Sequence, residues 1–266
     1  MEGFRAAVGR TIELVTLRYL PLLAVQRDLY ALPRGMERFR AYIEAMRDDG
    51  SSDLALPLVA MNPMGKDHVP ALIEQYLAMD ADAIGAQATL EAAARLTDAP
   101  GEVEATLVVS DDLKGGWTNR YASEFGHRFE NQAMFRRGWA VGILWTADAP
   151  SPDAAREAVL TAVYRAAHHA RHGAPRTLAG MLAQEGWVMA MAGCTTPRLG
   201  AEDLAYTRTV IAPHLPATDR ATQMACIFGD PCARALGYEP LGLSERAGLA
   251  LALHDADEDA GTRTGR

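Results

Sequence analysis

Glu102-Val103-Glu104-Ala105-Thr106-Leu107-Val108-Val109-Ser110 is the stretch that decides the fold. Val103, Ala105, Leu107 and Val109 alternate with Glu102, Glu104 and Thr106, the two-residue period of a strand with one face in a core. Downstream, Trp139–Trp145 (WAVGILW) is apolar on both faces, as a strand covered by helices on each side must be. Upstream, residues 54–61 (LALPLVAM) read as a further strand, with Pro57 confining it to a sheet edge because proline cannot donate to a ladder.

Helical patterns fill the intervals: 69–79 and 81–96 after the first strand, 118–135 after the second, and 152–172 after the third. In the second of these intervals Trp117, Tyr121, Phe125 and Phe129 recur every four residues. Ser151 and Pro152 form a cap and a first helical position. Further helices are expected at 176–191, 201–211, 219–228 and 244–254, and at 5–29 and 35–47 before the first strand, with Pro21 as a kink and Pro33 as a break. Alternating strands and helices imply parallel pairing with right-handed crossovers. The expected fold is therefore α/β and helix-rich: a small, mostly parallel sheet of three strands, or four if 223–228 is one, surrounded by many helices. We expect one α/β domain over 1–254, with N-terminal helices in 1–50, the sheet-forming core in 53–148 and a helical half in 151–254. Residues 255–266 read as a disordered tail.

The chain has 266 residues, 49% hydrophobic and 23% charged, enough to bury a large core without a disulfide or metal staple. With 26 basic against 34 acidic side chains, its net charge of −8 argues against a nucleic-acid binder. The opening MEGFRAAVGRTIEL lacks the basic head and unbroken apolar core of a secretory signal, and the apolar run 19–25 is too short to span a bilayer. That run (Tyr19, Leu20, Leu22, Leu23, Val25) suits the core or a contact between subunits of a homo-oligomer better than a membrane anchor. Cys194, Cys226 and Cys232 are odd in number and have no CxxC spacing, so buried thiols in a reducing cytoplasm are expected.

In an open parallel sheet ligands bind beyond the carboxyl ends of the strands. Three loops are expected there: 62–68, 110–120 and 146–148. Only two of the 26 basic residues are lysines, Lys66 and Lys114, and the only asparagines are Asn62, Asn119 and Asn131. Both lysines and two of the three asparagines fall in the first two loops. A lysine is a compact point charge whose affinity for protons can be moved, unlike the permanently charged arginine fork. Gly115 and Gly116 would let the backbone approach a ligand, with the following helix start as an anion site. Neither GxxxxGK[ST] nor GxGxxG is present, so no nucleotide fingerprint applies.

The candidate catalytic residues are Lys66, His68, Asp111, Asp112 and Lys114; the candidate substrate-binding residues are Asn62, Gly115, Gly116, Trp117, Asn119 and Arg120. In this reading Lys66, Lys114 and Arg120 hold an anion, Asp111 or Asp112 moves protons or binds Mg²⁺, Asn62 and Asn119 orient the substrate, and Trp117 closes over it. Strand alternation lets only one of the two aspartates face the crevice, and Asp148 could add a carboxylate. His68 would be a base or hydrogen-bond donor, with a solvent-facing histidine as the bland alternative. His127 reads as too far along its helix. His168 and His172 share a helix face, but next to Gly173 they read as C-terminal capping groups rather than metal ligands. No GxSxG elbow or nucleophilic cysteine context is visible. The resulting expectation is an enzyme acting on a small anionic carboxylate or phosphate metabolite, its class (lyase, transferase or hydrolase) undetermined. The alternative is a non-catalytic ligand-binding or assembly protein.

Overall fold

The computed structural model describes residues 16–47, 54–96, 102–113 and 118–264. In chain order the elements are β1 (Thr16–Tyr19), α1 (Leu23–Ala31), α2 (Met36–Ala45), a 3-10 turn (Leu58–Ala60), α3 (His68–Ala78), α4 (Ala81–Arg95), β2 (Glu102–Ser110), α5 (Arg120–Phe129), α6 (Gln132–Arg136) and β3 (Trp139–Trp145). Then follow α7 (Pro152–His172), α8 (Leu178–Ala192), α9 (Ala201–Ile211) with a 3-10 turn (Ala212–His214), α10 (Arg220–Phe228), α11 (Asp230–Leu236) and α12 (Ala247–Thr264). The three strands are all parallel in the order β1-β2-β3, so the alternating stretch is the central strand.

The first strand is not where the apolar run suggested. Residues 54–61 form a single bridge between Leu54 and Arg47 and then the 3-10 turn, with Pro57 at φ −84° and ψ 53°, outside the strand region. Thr16–Tyr19 takes the edge instead, pairing Thr16 with Glu102 and Tyr19 with Ala105. Pro21 holds the residue before it extended, and the Leu20 amide duly donates to the Ala105 carbonyl at 2.9 Å. Residues 223–228 lie in α10, so the sheet has three described strands. The tail also differs: α12 runs on to Thr264 rather than fraying after His254. The part of the expected helix 5–29 before Thr16 lies outside the described residues.

Because β1 ends opposite Ala105, the far end of β2 has no strand on that side. A side chain fills the place. The Gln26 amide donates to the Val109 carbonyl at 2.6 Å, and its oxygen accepts from the Val109 amide at 2.9 Å. Gln26 and Val109 are both fully buried, where an unpaired backbone group would be costly. On its other side β2 stays paired to β3 as far as Ser110 opposite Trp145.

Helices α4 and α7 pack against each other and on the sheet, while α1, α3 and α6 also contact strands. Close approach of α7 to β3 depends on Gly142: a β-carbon there would lie 2.8 Å from the Ala158 backbone, too near to fit without a shift. The core is one continuous cluster that includes Tyr76, Leu107, Phe125, Tyr164 and Phe228. Leu22 and Leu23 are inside it, and Tyr19 packs against it. Among the described residues no helix is long and apolar enough to cross a membrane.

Replacing Gln26 by Leu keeps the volume but strands both Val109 backbone groups. The expected loss, read by urea denaturation, is about 3 kcal/mol. Gln26→Glu sets a buried carboxylate against the Val109 carbonyl and should lose at least as much at pH 7.

Candidate functional site

The strand ends converge as the parallel topology requires, and the tie that brings the first loop to β2 is a hydrogen bond between His68 and Asp111. The His68 Nε2 lies 2.7 Å from the Asp111 Oδ1. The Asp111 side chain is 3% exposed and that of His68 27%, so a buried carboxylate holds an imidazole that reaches the surface. An ionised Asp111 fixes the ring proton on Nε2 and leaves Nδ1 as the acceptor. Nδ1 has no hydrogen-bond partner among the described residues.

Each partner is held from behind. Asn62 donates from Nδ2 to Asp111 Oδ2 at 3.4 Å, and the Leu113 amide donates to Oδ1 at 3.3 Å. The Thr146 hydroxyl lies 3.2 Å from Asp111 Oδ1 and 3.0 Å from Asp112 Oδ1, so its one proton serves both carboxylates in turn. The first loop is set by α1 and α2. Tyr30 donates to the Asn62 carbonyl at 2.6 Å, and the buried Arg38 guanidinium donates to the carbonyls of Tyr30, Leu32, Pro63 and Gly65. Gly65 is needed there, because a β-carbon would come within 3.0 Å of Val69 and the Tyr30 hydroxyl.

Asp112 has a different occupation. It accepts from the Ala147 amide at 2.9 Å and from Arg120 at 3.2 Å. Both aspartates are engaged because the chain leaves the strand after Ser110, so alternation no longer decides which one turns inward. The expected Mg²⁺ role does not fit this donor set: the carboxylate oxygens are taken by N–H, O–H and guanidinium donors. Among the described residues the group spaced to share an ion is His254, Asp255 and Glu258, away from these loops.

Arg120 is not a free anion holder. It grips Asp148 with two bonds of 2.6 and 2.8 Å, also holds Asp112, and lies over the Trp145 ring. Asn119 caps α5 by accepting from the Ala122 amide at 3.1 Å, which leaves it a structural task rather than substrate orientation. Lys66 is exposed and makes no ion pair among the described residues. Lys114, Gly115, Gly116 and Trp117 lie outside the described residues.

Two features went unread in the sequence. A cleft of about 460 Å³ is lined by Asn62, which holds Asp111, and by Ser110, Ser123, His127 and Asn131 among others. His127, read as too far along its helix for chemistry, lines this cleft two turns after Arg120. Its buried Nδ1 has no hydrogen-bond partner, and burial, with Arg165 nearby, pushes its pKa down to about 4. The second feature is a buried ionic network. Glu124 is bound by Arg128 and Arg246, and Glu185 by Arg165 and Arg128. Burial alone would raise both glutamates, but the guanidiniums overcome it and hold them below the ordinary carboxylate range.

Other candidates settle into structural roles. His168 packs at a tilt against His172 and Trp187, with burial and His172 pushing its pKa down to about 4, while α7 ends at Gly173. All three cysteines are free and buried, which pushes each thiol up to about 12 and away from nucleophilic use. Comparison of the chain with protein-family models, curated proteins and solved structures found no match.

These shifts fix a pH dependence. His127 and His168 take up protons in the unfolded chain below about pH 6.5 but in the folded chain only near 4, so stability falls as pH drops below 6.5. Glu124 and Glu185 contribute stability above the ordinary value of 4.5 and lose it below. Melting followed from pH 8 to 3 should be flat to about 6.5, then decline, then decline more steeply below 4.5. His127→Phe should flatten part of the first decline and leave the second.

Proposed function

We propose that the chain is an enzyme performing acid–base chemistry on a small anionic metabolite, a carboxylate or phosphate, at the carboxyl edge of its parallel sheet. The observation that carries this reading is the His68–Asp111 pair: a surface-reaching imidazole whose tautomer is set by a buried carboxylate at the end of the central strand. That is the arrangement general-base catalysis needs, since the orienting carboxylate fixes which nitrogen accepts the proton and stabilises the imidazolium once formed. Asn62 and Thr146 are positioning residues that keep Asp111 in register.

An anion is favoured by what surrounds the base. His68 is the first residue of α3, so it stands at the positive end of that helix's dipole; of the amides that follow, Val69's is taken by the Lys66 carbonyl and Pro70 has none. Lys66, exposed two residues before His68, adds a mobile positive charge. The cleft lined by Asn62, Ser110 and His127 provides room for a metabolite-sized molecule. Three reduced, buried thiols suit work in a reducing compartment such as the cytoplasm.

The test begins with a thermal-shift screen of small carboxylates and phosphates, followed by proton NMR of each stabilising compound to detect turnover. For a compound that is turned over, His68→Gln should lower kcat by about a hundredfold or more, with the melting temperature nearly unchanged. Asp111→Asn should lower kcat comparably by favouring the wrong tautomer, and Lys66→Ala should act mainly on KM. A ligand that binds tightly yet is never transformed would make the chain a binding module, and full turnover by His68→Gln would remove the proposed base.

A further inference from the structure

A second cavity, of about 390 Å³, lies between the end of β3, α5 and α7, and Arg246 closes one side. Its wall carries three guanidiniums (Arg120, Arg128, Arg246) and three carboxylates (Glu124, Asp148, Glu157). At first sight that is an anion site, but the pairing says otherwise. Arg120 is taken by Asp148 and Asp112, Arg246 by both oxygens of Glu124, and Arg128 by Glu124 and by Glu185, which also binds Arg165. Arg120, Arg128, Arg165 and Arg246 are thereby matched one for one by Asp112, Asp148, Glu124 and Glu185.

Glu157 is the carboxylate left over. It makes no ion pair among the described residues, and its side-chain partner there is the neutral thiol of Cys194. It stands on the α7 face that also brings Ala154, Ala158 and Thr161 to the cavity. The Nε of Arg120 is buried and faces Glu124 Oε2 at 3.8 Å, so this guanidinium has no nitrogen to spare for the cavity. The cavity therefore presents one uncompensated negative charge, beside Ile143, Leu144 and Met189.

We infer that this cavity binds a small primary amine, its ammonium group pairing with Glu157 and its carbon skeleton lying against Ile143, Leu144 and Met189. A single carboxylate balances the charge of an ammonium group, whereas a divalent metal would demand more anionic ligands than Glu157 alone supplies. The site is separate from the proposed base. Asp112 and Arg120 join the two places, but neither needs the other to bind its ligand.

The experiment titrates the intact protein with n-butylamine, β-alaninamide and butyrate at constant ionic strength and pH 7.5, read by isothermal calorimetry and melting temperature. Saturable binding of butylamine and β-alaninamide and none of butyrate are expected. Glu157→Gln should weaken the amines at least tenfold, and Glu202→Gln, an exposed carboxylate on α9, should leave them unchanged. Ala154→Met, which narrows the cavity without touching its charge, should also weaken them, giving a second arm if Glu157→Gln does not fold. Saturable butyrate binding, amine binding indifferent to both cavity variants, or no saturable response to any probe would overturn the inference. Because no turnover is read, failure here is distinct from failure of the His68 reading.

Discussion

The far end of the central strand is held by a side chain acting as a strand. Beyond Ala105 the sheet has no backbone on the β1 side, and the Gln26 amide supplies the missing donor and acceptor to Val109. Two residues later the chain reaches Asp111, so the position of that carboxylate depends on β2 staying in plane to its last residue. Were Val109 left unpaired and buried, the strand would gain by bending toward water. The clasp therefore supports stability and site geometry through the same pair of hydrogen bonds.

Around it the molecule uses two kinds of polar burial. Near Asp111 the donors other than His68 are neutral: Asn62, Thr146 and a backbone amide, at 3.2 to 3.4 Å. Farther in, Glu124 and Glu185 are enclosed by guanidiniums. Such pairs cost desolvation on folding, and removing one member leaves a bare charge in the interior. Their value lies in geometry: Arg128 ties α5 to α8, Arg165 ties α7 to α8, and Arg246 ties the start of α12 to α5. The helical half is thus locked in register against the sheet edge where the clefts open.

The strained residue in this network is Arg246, whose φ of +57° lies in the left-handed region that costs a non-glycine residue of order 1–3 kcal/mol. It is kept there by two bonds to Glu124 and by packing over Phe228. Its backbone amide also reaches the Phe228 carbonyl at 2.9 Å, joining α12 to the end of α10.

What the sequence determined by itself was whatever local pattern controls. The alternation of 103–109 and the doubly apolar run 139–145 gave β2 and β3 and, with the helices between, a parallel sheet whose strand ends gather loops. Asn62, His68, Asp111, Asp112 and Arg120 were all legible as occupants of that edge. Tertiary structure alone decided the rest, because it turned on partners distant in the chain. A four-residue strand at Thr16–Tyr19 has too little length for a period to show and exists only because Glu102–Ala105 pairs with it. The apolar run 54–61 lost the edge to it, Pro57 having no amide to give. Asp111 and Asp112 look alike in the sequence; Arg120, at the start of α5, and Thr146, on another strand end, assigned one to the imidazole and the other to a clamp. Charge balance was invisible for the same reason, since a carboxylate such as Glu157 is left over only after every arginine has chosen its partner in space.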